Sequence, residues 1–332
     1  MIAMHLETPS PIYDKPLKRV DLPIPIPGAG QIRVKISVCG VCHTDLHICE
    51  GDIYPPLMPV IPGHQVVGIV DSIGEGVTHL VIGERVGIPW FYDACGVCEY
   101  CQTGNENLCP RALFTGFHVN GGFAEYMLAE ASHVLPIPEG LSDDQAAPLL
   151  CAGIIGYRSL RKADLCPGER LGLFGFGASA HLTIQVARYW GCEVYVFTRS
   201  LAHRNHALEL GAAWVGGAED SPPKFLDRAI LFAPVGELVP RALEKIRPGG
   251  TLAINAIHMT SIPEIPYHLI YGERTLRSVA NATYQDGIEF LKLVIEIPIE
   301  STIQMYALED VNQALLDVKN SSLNGEAVLR IG

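Results

Sequence analysis

The chain has 332 residues, 48% of them hydrophobic and 18% charged, a balance that suits a folded protein of two domains better than one core. Its formal net charge is −12 with no run of lysine or arginine, which argues against a nucleic-acid footprint and against attraction to anionic membranes. The opening stretch lacks an apolar segment of export length, and no later stretch approaches a spanning helix. The expectation is therefore a cytoplasmic protein whose ten cysteines stay reduced.

In the first 150 residues, β-rich runs at 31–38, 64–74, 84–89 and 121–129 are bounded by glycine or proline, with early prolines gathered in "PIPIPGAG" and "YPPLMPVIPGH". Short strands so spaced predict a barrel or sandwich. The stretch "CGVCHTDLH" (39–47) follows the first of them. As a bare pattern, Cys39-Gly40-Val41-Cys42-His43 fits a haem-attachment motif, a redox pair or half of a zinc site. Haem attachment normally follows export, which weakens the first of these. Further on, Cys95, Cys98, Cys101 and Cys109 are spaced C-x2-C-x2-C-x7-C. Four thiolates so close predict a closed, tetrahedral structural zinc site. An iron–sulfur cluster of ferredoxin type uses a shorter final spacing.

From about residue 148 the pattern changes to helices and strands in alternation. Helices are expected at 147–163, 178–191, 201–212 and 236–250, and strands at 170–176, 193–199, 228–233, 251–256 and 275–280. This alternation predicts an α/β, doubly wound parallel sheet covered on both faces. After residue 283 come a helix (285–297), a strand (303–308), a helix (309–321) and a strand (326–331), expected to rejoin the first domain. The division expected is thus 1–152 with 283–332 as a β-rich domain, and 153–282 as a dinucleotide-binding domain.

The dinucleotide signal is Gly175-x-Gly177-x-x-Ala180, set between a buried strand and a helix. Gly175 suits the tight turn, Gly177 lets a pyrophosphate approach backbone, and Ala180 allows close helix–strand packing. The helix N-terminus then offers N–H groups to phosphate. At the end of the next strand, where NAD binding favours a carboxylate, the chain has Thr198-Arg199-Ser200. A guanidinium and hydroxyls there favour NADP(H) over NAD(H). Arg199 stacking on adenine or facing solvent would leave NAD(H) usable.

Together, "GVCHTDLH", "PVIPGHQVVGIVDSIG", the four-cysteine lobe, "PLLCAG" and "FGFGASAHL" make the chain resemble the medium-chain, zinc-dependent alcohol dehydrogenase family almost end to end. The resemblance implies a GroES-like catalytic domain with a zinc lobe beside a Rossmann cofactor domain, and a cleft between them. It implies Cys42, His64 and Cys151 as ligands of a catalytic zinc, with Cys39 a bystander. It assigns Thr44 to the alcohol hydroxyl, His47 to the end of a proton relay, Asp45 to orienting the ligand histidine and His43 to the cofactor pyrophosphate. The reaction implied is hydride transfer between an alcohol, in the first instance primary, and the nicotinamide of NAD(P), reversible from aldehydes or ketones. An NADPH-preferring aldehyde reductase of cinnamyl-alcohol-dehydrogenase type is the variant to weigh. A non-catalytic zinc and nucleotide binder is the remote one, disfavoured because every ligand and relay position is filled. Such enzymes act on small molecules and are homo-oligomers, dimeric or tetrameric.

Two departures stand out. Gln65 occupies a position that is commonly glutamate in the family, which changes the charge near the metal by one unit. Ile155 stands where many relatives have threonine near the nicotinamide. Trp90 and Phe91, between a strand and the cysteine lobe, are candidates for the substrate pocket or for ordinary core.

Overall fold

Strand β1 (Gln31–Val41) alternates buried and less buried positions through Val38, then is buried without interruption to Val41. The change of pattern marks where the strand passes from a half-covered sheet into one covered on both faces. A computed structural model describes all of residues 1–332. In chain order, β1 leads into α1 (His43–Glu50), β2 (Val66–Ile73), β3 (Arg85–Ile88), β4 (Tyr126–Glu130) and β5 (Leu135–Pro136). There follow α2 (Ala152–Lys162), β6 (Arg170–Phe174), α3 (Ala178–Tyr189), β7 (Glu193–Phe197), α4 (Leu201–Glu209) and β8 (Trp214–Gly216). Then come β9 (Leu226–Leu231), α5 (Leu238–Lys245), β10 (Ile246–Ile254) and β11 (Thr275–Ser278). The chain closes with α6 (Tyr284–Glu296), β12 (Ile303–Ala307), α7 (Val311–Lys319) and β13 (Glu326–Arg330).

Two compact units result: Met1–Cys151 with Asn281–Glu296 and Ser301–Gly332, and Ala152–Ala280 with Ile297–Glu300. The first holds a seven-stranded sheet in the order β12-β13-β1-β2-β3-β5, with β4 also paired to β1. Strand β13 runs antiparallel to the end of β1, from Ala327 opposite Val41 to Arg330 opposite Val38. The last residues of the chain thereby fix the position of the segment that carries Cys42. Helix α7 buries Val311, Ala314, Leu315 and Val318, a stripe at helical spacing, in the same core as Ile32, Val34, Ile36 and Ala327. Each fully buried aliphatic side chain of this size contributes roughly 1.5–3 kcal/mol.

The second unit holds a six-stranded parallel sheet in the order β8-β7-β6-β9-β10-β11. At its centre Phe174 stacks on Phe197 with ring centroids 4.2 Å apart. The parallel-sheet architecture and the β-rich first unit agree with the expected fold class.

Several local boundaries differ from the sequence reading, and four of the differences are instructive. The helix expected at 147–163 is broken: a 3-10 turn spans Ala147–Leu150 and α2 starts at Ala152, leaving Cys151 between them with non-helical dihedrals, φ −130° and ψ −67°. The helix expected at 236–250 ends at Lys245, because Pro248 and two glycines belong to the start of β10. The strand expected at 121–129 begins only at Tyr126. Strand β8 was not expected at all; three residues carry too little periodicity to announce a strand, and pairing with β7 creates it.

Candidate functional site

Helix α1 begins at the residue after Cys42, and Cys42 is its N-cap. The Cys42 Sγ accepts from Thr44 N at 3.3 Å, while Asp45 Oδ2 accepts from Cys42 N at 3.0 Å. This reciprocal pair is a capping box in which a thiol takes the place of the usual hydroxyl. A helix N-terminus favours negative charge, so the cap stabilises a thiolate where a metal would bind it.

Asp45 is fully buried, and both its oxygens are used. Besides Cys42 N, it accepts from Gly63 N at 3.0 Å and faces His64 Nδ1 at 3.1 Å. One carboxylate therefore holds two loops and presents His64 Nε2 outward. That nitrogen lies 3.1 Å from Cys42 Sγ. The donor atoms of Cys42, His64 and Cys151 all lie within 4.8 Å of one another. Contact with Cys151 and burial push the Cys42 thiol up. Burial alone would lower the His64 imidazole, but Asp45 and Cys42 hold it up. Two partly buried thiols and one buried imidazole converge here, and their number and chemistry fit a three-ligand zinc site with a fourth position open. Cys39, buried on β1, is outside this group.

Thr44 and His47 sit three residues apart on α1 and so share a face. His47 Nδ1 is 2.8 Å from Asp52 Oδ2, a partner that the sequence reading missed because nothing about an aspartate in a turn announces it. His43 lies on the same helix, its ring centroid 6.5 Å from that of His47.

Trp90 meets the His64 ring edge-on at 4.8 Å and stacks on Phe114 at 5.0 Å. Its indole N–H donates to Asn281 Oδ1 at 3.0 Å. Phe91 faces His133 and Phe114 and is buried. The two pocket candidates thus differ in their surroundings: Trp90 reaches His64, and Phe91 packs against Phe114 and His133.

In the cysteine lobe, Sγ–Sγ distances are 3.5 Å for Cys98–Cys101 and Cys95–Cys109 and 3.8 Å for Cys95–Cys101. All four Sγ atoms lie within 4.8 Å of one another. N–H groups of the Val97 and Cys98 backbone, with Arg111, push the Cys95 thiol down to about 5. Four convergent sulfurs with N–H donors toward them fit a closed zinc site.

In the second unit, Gly175 adopts a φ of +93°, and a Cβ there would lie 2.9 Å from Ala233 N. Only glycine fits this turn. A Cβ on Gly177, the N-cap of α3, would meet nothing within 4 Å, so the backbone there is open to a ligand. Ala180 is buried against the sheet. This strand–turn–helix cradle fits a dinucleotide pyrophosphate. Past β7, Arg199 is exposed, and the Ser200 hydroxyl accepts from His203 N at 3.3 Å as the cap of α4. Arg204, which the sequence reading did not single out, donates its Nε to Thr198 O at 2.8 Å. Ile155 is half-buried on α2.

The alcohol dehydrogenase GroES-like domain family matches residues 28–139. A probable alcohol dehydrogenase, AdhA, of Mycobacterium tuberculosis is 47% identical, covering 100% of this chain and 97% of its own length. The chain belongs to the medium-chain, zinc-dependent alcohol dehydrogenase family. It is an enzyme of alcohol and aldehyde oxidoreduction that uses zinc and a nicotinamide cofactor. An alcohol dehydrogenase of Geobacillus stearothermophilus is 35% identical over 96% of this enzyme and 97% of its own chain. Among solved structures, a cinnamyl alcohol dehydrogenase of Sorghum bicolor superposes with a TM-score of 0.90 at 29% identity, covering 99% of this enzyme and 97% of that chain.

Proposed function

We propose that the enzyme is a two-zinc, NADP(H)-preferring dehydrogenase that interconverts small primary alcohols and aldehydes. The observation that carries this reading is the incomplete set of Cys42, His64 and Cys151 beside the complete set of four lobe cysteines. An open ligand position is what a Lewis-acid site needs, and a filled one is what a structural site needs. When bound, the catalytic zinc makes an alcohol oxygen acidic near neutral pH, and the nicotinamide supplies the hydride chemistry.

The remaining work falls to side chains. Thr44 holds the substrate hydroxyl and passes its proton along α1, and His47 delivers it to solvent with Asp52 fixing its ring. Asp45 keeps His64 in the tautomer that offers Nε2. Gly175, Gly177 and Ala180 make room for the cofactor phosphates. Thr198, Arg199 and Ser200, with Arg204 beside them, surround the adenosine ribose. No carboxylate stands at Thr198–Ser200, and an exposed guanidinium does, which supports NADP(H).

A cinnamyl-alcohol-dehydrogenase-like preference for aromatic aldehydes is favoured by one feature, the aromatic wall of Trp90, Phe114 and Phe117 beside His64. A probable cinnamyl alcohol dehydrogenase of Oryza sativa is among the relatives, at 31% identity over 86% of this chain. The chain works as a soluble homo-oligomer of the cytoplasm in this reading. No helix is long and apolar enough to cross a membrane, and Leu276 on edge strand β11 is exposed, as an oligomer contact would require.

The test is an absorbance assay at the nicotinamide band with NADH and NADPH across aliphatic and aromatic aldehydes. NADPH is expected to give the higher kcat/KM, and Arg199→Asp to reverse the ratio. Equal or better rates with NADH overturn the cofactor preference. No turnover of any aldehyde or ketone overturns the catalytic reading.

A further inference from the structure

Behind the proposed ligands Cys42 and His64, a side-chain hydrogen bond crosses strand β1. Gln65 Nε2 donates to Glu326 Oε1, and both side chains are buried. Gln65 immediately precedes β2 and is joined to β1 by the bond from Gly40 N to Gln65 O at 2.9 Å. Glu326 opens β13, and since Ala327 stands opposite Val41, one further step of the register sets Glu326 beside Cys42. The strand between them, β1, must therefore be crossed by the Gln65 side chain.

Gly40 makes the crossing possible. A Cβ at that position would lie 2.8 Å from Gln65 Nε2 and 3.0 Å from both Cβ and Cδ of the same side chain. The glycine of "CGVC" is thus a groove for the amide, a need unrelated to either neighbouring cysteine. The other carboxyl oxygen, Glu326 Oε2, is buried without a hydrogen-bond partner. Burying a carboxyl with one oxygen unpaired costs stability.

We propose that Glu326 is a positioning residue of the catalytic metal centre, acting through Gln65 to clamp the strand carrying Cys42 between β13 and the segment carrying His64. This rests on the reading of Cys42, His64 and Cys151 as zinc ligands. Glu326 touches neither substrate nor metal in this arrangement; it holds the two nearest ligand segments at their binding distance. Partners that orient metal ligands in this way are worth about 10–100-fold in metal affinity.

The experiment follows zinc leaving the holoenzyme for a chromophoric chelator. The catalytic phase of release is identified as the one that Cys151→Ser removes. Glu326→Ala, Gln65→Glu and Gly40→Ala are each expected to speed that phase by about tenfold or more, with the four-cysteine phase unchanged. The exchange of roles, Gln65→Glu with Glu326→Gln, rebuilds an amide–carboxylate bond of reversed polarity and is expected to slow release to within about threefold of the native rate. This rescue separates a specific clamp from general damage to the fold, because two lesions at independent sites would add. An unchanged catalytic phase in all three single variants overturns the proposal, and so does a double variant that releases zinc as fast as Gln65→Glu. A native trace that Cys151→Ser leaves unaltered is a different result: it overturns the zinc assignment itself.

Discussion

Asp52 Oδ2 lies 2.8 Å from His47 Nδ1 and so fixes the orientation of the ring. Asp52 is half exposed, which suits the proposed role of His47 at the solvent end of a proton relay. His47→Gln is expected to lower kcat for alcohol oxidation about a hundredfold, in the range typical of lost general acid–base catalysis. Asp52→Asn keeps the ring present but loosens its orientation, and a loss of about tenfold is expected, since ring orientation is one part of that catalysis. Added imidazole should restore part of the rate to His47→Gln and none to a Thr44→Val variant. Steady-state kinetics with and without imidazole check this.

Asp45 joins Cys42 N, Gly63 N and His64 Nδ1 through one buried carboxylate. Asp45→Asn turns one accepting oxygen into a donor and sets it against an N–H. The expected result is catalytic-zinc affinity lowered about 10–100-fold and stability lowered by about 2 kcal/mol or more. Zinc content after dialysis against graded chelator, and urea unfolding of the same samples, measure the two effects separately.

The cysteine lobe makes a separable prediction. Cys109 is the buried member of its set. Cys109→Ser should cost one zinc per chain and lower Tm while leaving the catalytic metal bound. Metal analysis that finds both ions lost would show that the two sites are coupled through the fold.

At the base of the second unit, Asp227 lies 2.8 Å from Arg170 Nε and 2.5 Å from Arg247 Nε. Burial pushes its carboxyl up, but the two guanidinium groups outweigh this and hold it well below the usual carboxylate range. A folded-state value below the unfolded one means stabilisation that is fully present above about pH 4 and is lost as pH falls through the folded-state value. Asp227→Asn should therefore lower Tm at pH 7 and flatten its decline between about pH 4 and pH 2. Thermal unfolding across that range, with native and variant side by side, checks the sign.

Much of this enzyme is legible in the order of its residues. The four closely spaced cysteines carry their own ligand chemistry, and the Gly175–Ala180 turn carries its own backbone requirement, so short local motifs suffice for both. The alternation of strand and helix after residue 147 announces a parallel sheet because hydrophobic period is a local property. Local pattern fails where pairing partners are remote. It runs a helix straight through Cys151, although the chain breaks there, and it leaves β8 invisible because three residues become a strand only beside β7.

The sequence by itself determined which residue types could bind metal and cofactor, since that chemistry belongs to the side chains. Only the tertiary structure decided which partners hold them. Gln65 reads in the sequence as a lost charge; in the fold its amide meets Glu326, 261 residues away, across a glycine that leaves it room. His47 likewise gains Asp52, and Trp90, not its neighbour Phe91, gains His64. A hydrogen bond needs two groups at one distance and angle, and sheet register sets that distance after the chain has folded.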